Sequence, residues 1–250
     1  MPTSLIARLL AFACALLPAR AVAEEALVAV AANFSGAMAA LEARFEAQTG
    51  HDLVVTTGSS GKLYAQIANG APIDMLLAAD AERPRALEAA GLAAPGGRFV
   101  YALGRLALWS RDPTRIGADG AETLRNGSFR RIALANPDLA PFGAAALEVM
   151  DNLGVAETLR PRIVVGENVA QAYAMAASGA AEIAFVARAQ IVDHDKGSRF
   201  DIPAALHRPI LQEGVVLARA AENEAALAFA AFLQGEEARA LIAQSGYDLP

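Results

Sequence analysis

The chain has 250 residues, of which 55% are hydrophobic and 19% are charged, and its formal net charge is −6. This composition excludes an intrinsically disordered chain, because it supplies enough apolar side chains for a packed core. The acidic balance argues against nucleic acid or anionic lipid as a partner, since both repel a negatively charged surface.

The first 23 residues are typical of a cleaved secretory signal. Arg8 supplies the positive charge, residues 9–17 form an apolar run, and residues 21–23 read A-x-A before Glu24. The run is too short to span a membrane, and Cys14, the single cysteine, lies within it. Cleavage would remove two of the 21 basic residues and none of the 27 acidic ones, so the formal charge would fall from −6 to −8. We therefore expect an exported, acidic protein without disulfides.

Strand-like and helix-like segments alternate beyond residue 23. Apolar runs of four to seven residues predict buried strands, and each is followed by a segment with apolar residues at helical spacing. Three strands alternating with three helices indicate an open α/β sheet. The predicted strands are 27–32, 51–57 and 75–78, and the predicted helices are 36–48, 60–69 and 81–90.

A second α/β unit follows a break in this rhythm. Residues 98–109 resemble one long strand interrupted at Gly104-Arg105, which suggests a crossover between two lobes, and residues 209–218 form another long extended segment. We predict a two-lobed α/β fold, in which lobe I comprises residues 24–103 and 208–250 and lobe II comprises residues 104–207. Segments 101–108 and 211–217 are the expected hinges. The second unit has predicted strands at 131–135, 163–165 and 183–186 and predicted helices at 142–153 and 169–177.

Four turns from a strand into a helix carry small, hydroxyl or amide residues. Each presents unpaired backbone N–H groups and the positive end of a helix dipole, which together bind anions. Ligands of open α/β sheets bind beyond the carboxyl ends of the strands, so two facing lobes would direct all four turns into one cleft. A site made of donors favours a fully deprotonated oxyanion, because a protonated one would bring an unpaired O–H. The turns are Asn33-Phe34-Ser35, Gly58-Ser59-Ser60, Pro141-Phe142-Gly143 and Asn168-Val169.

Charged residues stand beside two of these turns. Lys62 falls a turn position after the serines, and Glu167 precedes the Asn168 cap. We expect both to point away from the cleft, which leaves neutral dipoles to hold the anion.

Several segments carry a family resemblance: Gly58-Ser59-Ser60-Gly61-Lys62-Leu63, Ala140-Pro141-Phe142-Gly143, and residues 30–34, 64–67, 69–74, 78–80, 98–106, 136–137 and 177–182. In these segments the chain resembles the periplasmic molybdate-binding proteins of ABC importers, and the resemblance covers nearly all of the chain beyond residue 23. It implies a type II periplasmic-binding fold and a periplasmic protein that delivers molybdate or tungstate to a membrane permease. We expect it to act as a monomer.

The resemblance also implies a set of ligand contacts at Asn33, Ser60, Phe142 and Val169, with Ala32 adding a backbone contact. Asn33 and Ser60 would use their side chains as well as their backbone, whereas Phe142 and Val169 would use backbone N–H groups only. Molybdenum would be held only as its oxyanion, with no protein ligand to the metal, no cofactor and no catalytic residue. Some relatives have a tyrosine near Ala187, and its absence here removes one donor.

Two other functions stay open from the residues alone. Sulfate is also an unprotonated tetrahedral dianion, so the donors do not distinguish it from molybdate, although the size of the pocket would. Residues 59–62 also fit S-x-x-K, in which a lysine activates a serine nucleophile, but the chain has neither S-D-N nor K-T-G. We therefore place a serine hydrolase well below a binding protein.

Overall fold

Two five-stranded sheets organise the computed structural model, which describes residues 23–193 and 196–250. The predicted secretory signal, apart from Ala23, lies outside the described residues. The strands are β1 Glu25–Ala31, β2 Asp52–Gly58, β3 Met75–Leu77, β4 Ala93–Gly104, β5 Leu106–Ser110, β6 Ile132–Ala135, β7 Ile163–Gly166, β8 Ile183–Ala187, β9 Ser198–Asp201 and β10 Ile210–Leu217. The helices are α1 Ser35–Thr49, α2 Ser60–Ala68, α3 Glu82–Ala89, α4 Gly120–Asn126, α5 Pro141–Asn152, α6 Ala156–Leu159, α7 Val169–Ser178, α8 Glu224–Gln234 and α9 Glu236–Gln244.

Both sheets combine parallel and antiparallel strands. The first has the order β2-β1-β3-β10-β4, in which β1 is parallel to β2 and β3 while β10 is antiparallel to β3 and β4. The second has the order β7-β6-β8-β5-β9, in which β6 is parallel to β7 and β8 and β5 is antiparallel to its neighbours. Two α/β sheets with flanking helices confirm the predicted fold class.

The C-terminal helices α8 and α9 pack in the core of the first sheet. Helix α1 buries Met38, Leu41 and Phe45 on one face, and the ring of Phe45 meets the ring of Phe229 in α8 edge-on at 5.1 Å between centroids. This contact buries a large aromatic area between segments that are far apart in sequence. The hydrophobic core of lobe I is therefore complete only when the C-terminal helices have packed against α1.

The chain crosses between the sheets at two places. Residues 98–109 do form a long extended segment broken at Gly104-Arg105, and its two halves, β4 and β5, lie in different sheets. The second crossing is made by residues 202–209, which follow β9. The predicted hinge segment 211–217 lies within β10, which is hydrogen-bonded to β3 and to β4, so the crossing itself falls just before that segment.

Three short elements of lobe II are not predicted by the sequence patterns. They are α4, α6 and β9, which span only four to seven residues, too few for a periodic pattern to stand out. In the described part of the chain, no helix combines the length and the apolarity that a membrane crossing needs.

Candidate functional site

A small cavity lies between the lobes, at the carboxyl ends of strands from both sheets. All five residues predicted to contact a ligand line it, and all are buried. Its volume is about 10 Å³, whereas that of the groove beside it is about 400 Å³, so the cavity suits a small ion rather than a peptide or a sugar. The lining residues are Ala31, Ala32, Asn33, Gly58, Ser59, Ser60, Ala79, Ala140, Pro141, Phe142, Asn168 and Val169.

The cavity is electrically neutral in its side chains. Among the described residues that line it, none is ionisable. Lys62 and Glu167, which stand beside two of the cavity turns, form an ion pair between the two lobes, and each side chain is about half exposed. An anion in the cavity would therefore be held by dipoles and hydrogen bonds.

Lobe II offers backbone donors at the starts of two helices. In α5 the N–H groups of Gly143 and Ala144 donate to the carbonyl of Ala140, which leaves the Phe142 N–H without an acceptor in its own helix. In α7 the side chain of Asn168 accepts from the Gln171 N–H at 3.0 Å, so the Val169 N–H is likewise available. Both side chains are apolar, so a hydrogen bond from either residue to a ligand would come from its backbone N–H.

Glycine at position 143 permits this arrangement. A Cβ on Gly143 would lie 2.1 Å from the carbonyl oxygen of Ala135 at the end of β6, far inside the normal contact distance. Only glycine lets α5 begin so close to the strand, and that closeness brings the Phe142 N–H to the cavity.

Lobe I offers a serine hydroxyl with a defined orientation. Ser60 Oγ accepts a hydrogen bond of 2.9 Å from the Ala79 N–H, which follows β3. A hydroxyl has one hydrogen and two lone pairs, so this bond occupies an acceptor position and leaves the hydrogen free to donate. The geometry suits the donor role predicted for Ser60.

The side chain of Asn33 differs from the prediction. Its Nδ2 donates to Gln212 Oε1 at 3.0 Å and to Tyr247 Oη at 3.2 Å, so both amide hydrogens are engaged behind the cavity. Tyr247 in turn donates to the Asn33 carbonyl at 2.6 Å. The expectation that Asn33 donates to the ligand through its side chain is therefore wrong for this conformation, and its backbone N–H is the donor left to the cavity.

A buried polar network holds Asn33 against the strands at the crossover. Tyr101 in β4 donates to Gln212 Oε1 at 2.9 Å, and Gln212 lies in β10. Burial raises the pKa of Tyr101 and of Tyr247 above the usual value of a phenol, so both stay protonated donors at neutral pH. The first cavity turn is thus tied directly to β4 and β10.

Sequence reasoning missed several of these residues. Ala79 could have been found, because it follows a parallel strand at the same edge of the sheet. Gln212 interrupts an apolar strand, which is a weak signal, whereas Tyr247 lies near the C-terminus with no local sign of its role. Ala187 is buried but is absent from the cavity lining.

The structure gives no support to the S-x-x-K alternative. The Nζ atom of Lys62 contacts Glu167, and within the described residues Ser59 Oγ has no hydrogen-bond partner. A serine nucleophile needs a base within hydrogen-bond reach, and the pairing of Lys62 with a carboxylate removes the base that the motif would supply.

Similar proteins are found across nearly the whole chain. A family model described as bacterial extracellular solute-binding protein matches residues 26–248. The molybdate-binding protein ModA of Rhodobacter capsulatus is 44% identical over 227 residues, which cover 91% of this chain and 89% of the relative. ModA of Azotobacter vinelandii is 40% identical over 252 residues, with both chains covered in full. The solved structure of an Azotobacter vinelandii periplasmic molybdate-binding protein has a TM-score of 0.87 and 41% identity, covering 90% of this chain and 99% of that one.

Proposed function

This chain belongs to the family of bacterial extracellular solute-binding proteins, and we propose that it captures molybdate, and also tungstate, in the cavity between its lobes. It would do so in the periplasm and deliver the anion to the membrane permease of an ABC importer. Relatives that are 40–44% identical over nearly their whole length and are named molybdate-binding proteins support this ligand.

The observation that carries the proposal is the neutral cavity at four helix starts. Backbone N–H groups at positions 33, 60, 142 and 169, with the Ser60 hydroxyl and the backbone at Ala32, supply donors for a tetrahedral oxyanion. Helix N-termini stabilise negative charge without a cation. The dipoles are fixed by the fold and replace the hydrogen bonds to water that the anion loses on entering the cavity. Since no covalent bond forms, the anion can leave again.

Closure of the lobes would complete this site. The Gly61 N–H in lobe I donates to the Leu139 carbonyl in lobe II at 2.9 Å, and Arg83 reaches the Asp138 carbonyl at 3.2 Å. These contacts exist only when the lobes are together. Opening and closing would take place at Arg105 and at residues 202–209, where the chain passes between the sheets, and lobe I would comprise residues 24–103 and 208–250.

Capture and release need no covalent chemistry, no cofactor and no second copy of the chain. The protein would therefore act as a monomeric carrier rather than as an enzyme. Molybdenum would meet the protein only through its oxide ligands.

Calorimetric titration of the chain from residue 24 onward tests the proposal. We expect one binding site for molybdate and for tungstate, with sulfate and phosphate bound much more weakly. Tight binding of sulfate without binding of molybdate would overturn the assignment and favour the alternative tetrahedral anion.

A further inference from the structure

Ser59 is the polar side chain of the cavity that the contacts described so far leave unused. It is 3% exposed and lines the cavity together with Ser60. Its Oγ has no hydrogen-bond partner in the part of the chain that the structure describes. A buried hydroxyl without a hydrogen bond lowers the stability of the fold, and native proteins contain very few of them. A ligand in the cavity would supply the partner that this atom lacks.

The position of Ser59 in the helix makes the missing bond more informative. Ser59 is the N-cap residue of α2, and a serine there usually accepts from the N–H two or three residues on. Its side chain makes no such bond. The N–H of Gly61, one of the two usual partners, instead donates to the Leu139 carbonyl of lobe II.

We infer that the Ser59 hydroxyl donates a hydrogen bond to the bound oxyanion, so that two successive serines, and not Ser60 alone, hold the ligand from lobe I. The two hydroxyls differ in the hydrogen bonds that they make to the protein. Ser60 is oriented by the Ala79 N–H before any ligand binds, whereas Ser59 has its capping partner taken by lobe II and finds its own partner in the anion. The inference rests on the proposed function, since it adds a donor to that site.

Titration of wild-type protein and of Ser59→Ala with molybdate tests the inference. A hydrogen bond to a charged group is among the stronger ones in proteins, so we expect the Kd to rise about ten- to hundredfold, which corresponds to about 1.4–2.8 kcal/mol. Without molybdate the melting temperature should change little, because Ser59 Oγ bonds to no described residue. The melting temperature with molybdate should rise less in the variant than in the wild type.

Ser178→Ala is the matched control. Ser178 also lies at a helix terminus, the last residue of α7, but its hydroxyl donates to the Met175 carbonyl at 3.2 Å and it is absent from the cavity lining. We expect its Kd for molybdate to stay within about threefold of wild type, well below the tenfold expected for one lost charged hydrogen bond.

The outcomes separate the inference from the proposed function. An unchanged Kd in Ser59→Ala, with normal binding by wild type, overturns the inference and leaves the function intact. If wild type binds sulfate and not molybdate, the function falls, and the same comparison with sulfate then decides the role of Ser59. If wild type binds neither anion, both are overturned.

Discussion

The two walls of the cavity supply donors in different ways. The lobe I wall, formed by residues 31–33, 58–60 and Ala79, contains serine hydroxyls and an asparagine backed by a buried network. The lobe II wall, formed by residues 140–142, 168 and 169, turns the backbone of Phe142 and Val169 to the cavity, while Asn168 caps its own helix. A single substitution can therefore delete a donor from lobe I, whereas in lobe II it changes only the shape around a backbone donor.

Ser60→Ala should have the largest effect on affinity. It removes the expected hydroxyl donor and leaves the buried Ala79 N–H without its acceptor. We expect molybdate binding to weaken by about 1.5–3 kcal/mol, the usual worth of a hydrogen bond to a charged group, and the ligand-free melting temperature to fall as well. Calorimetry and thermal unfolding measure the two effects. An unchanged affinity would show that lobe I does not donate through this side chain.

Gly61→Ala tests the junction of the two walls. A Cβ on Gly61 would lie 3.0 Å from the Leu139 Cα and 3.1 Å from its carbonyl oxygen, so the extra methyl opposes closure. We expect affinity to fall by at least about 1 kcal/mol, the lower end of the cost of overpacking, with little change in ligand-free stability. Gly36→Ala is the control, because a Cβ there meets nothing within 4 Å. Equal molybdate affinities for the two variants would argue against this contact between the closed lobes.

Phe142→Ala should separate stability from binding. The ring is 2% exposed and lies in the core of lobe II, so its removal should lower the free energy of unfolding by roughly 3–5 kcal/mol. Affinity should fall by less than in Ser60→Ala, because the expected contact is the backbone N–H. Denaturant unfolding and titration well below the melting temperature measure these quantities. A larger affinity loss than in Ser60→Ala would reverse the contrast between the walls.

Changing pH should have the smallest effect. The described residues lining the cavity are not ionisable, and burial raises the pKa of Tyr101 and Tyr247 behind it. Molybdate affinity should therefore stay flat between about pH 6.5 and 9, below the reference phenol pKa of about 10. Above about pH 10 stability should fall, since the unfolded phenols ionise while the folded ones hold their protons. Affinity that varies between pH 6.5 and 9 would reveal a titrating group at the site.

Local signals predicted much of the site from the sequence. Apolar runs followed by small, hydroxyl or amide residues identified all four turns. A turn from a strand into a helix is recognisable in this way because its pattern is confined to a short stretch of sequence. The residues alone do not separate Ser59 from Ser60, because both serines fit the turn and nothing in the sequence shows which hydroxyl has a partner. The preference for Ser60 comes from the family resemblance. The sequence does not locate the second crossing at 202–209 for a related reason, because an extended segment such as 211–217 looks the same in sequence whether it is free or paired on both sides.

The sequence by itself determined the longer α/β elements, the crossover at Gly104-Arg105 and the family, because these depend on short-range patterns and on motifs. The tertiary structure alone decided how each polar group is used. It directs the Asn33 amide to Gln212 and Tyr247, 179 and 214 residues away, and it gives the Gly61 N–H to Leu139. A buried hydrogen bond depends on which distant atoms fold into reach, and that choice is made only when the two lobes and the end of the chain have packed together.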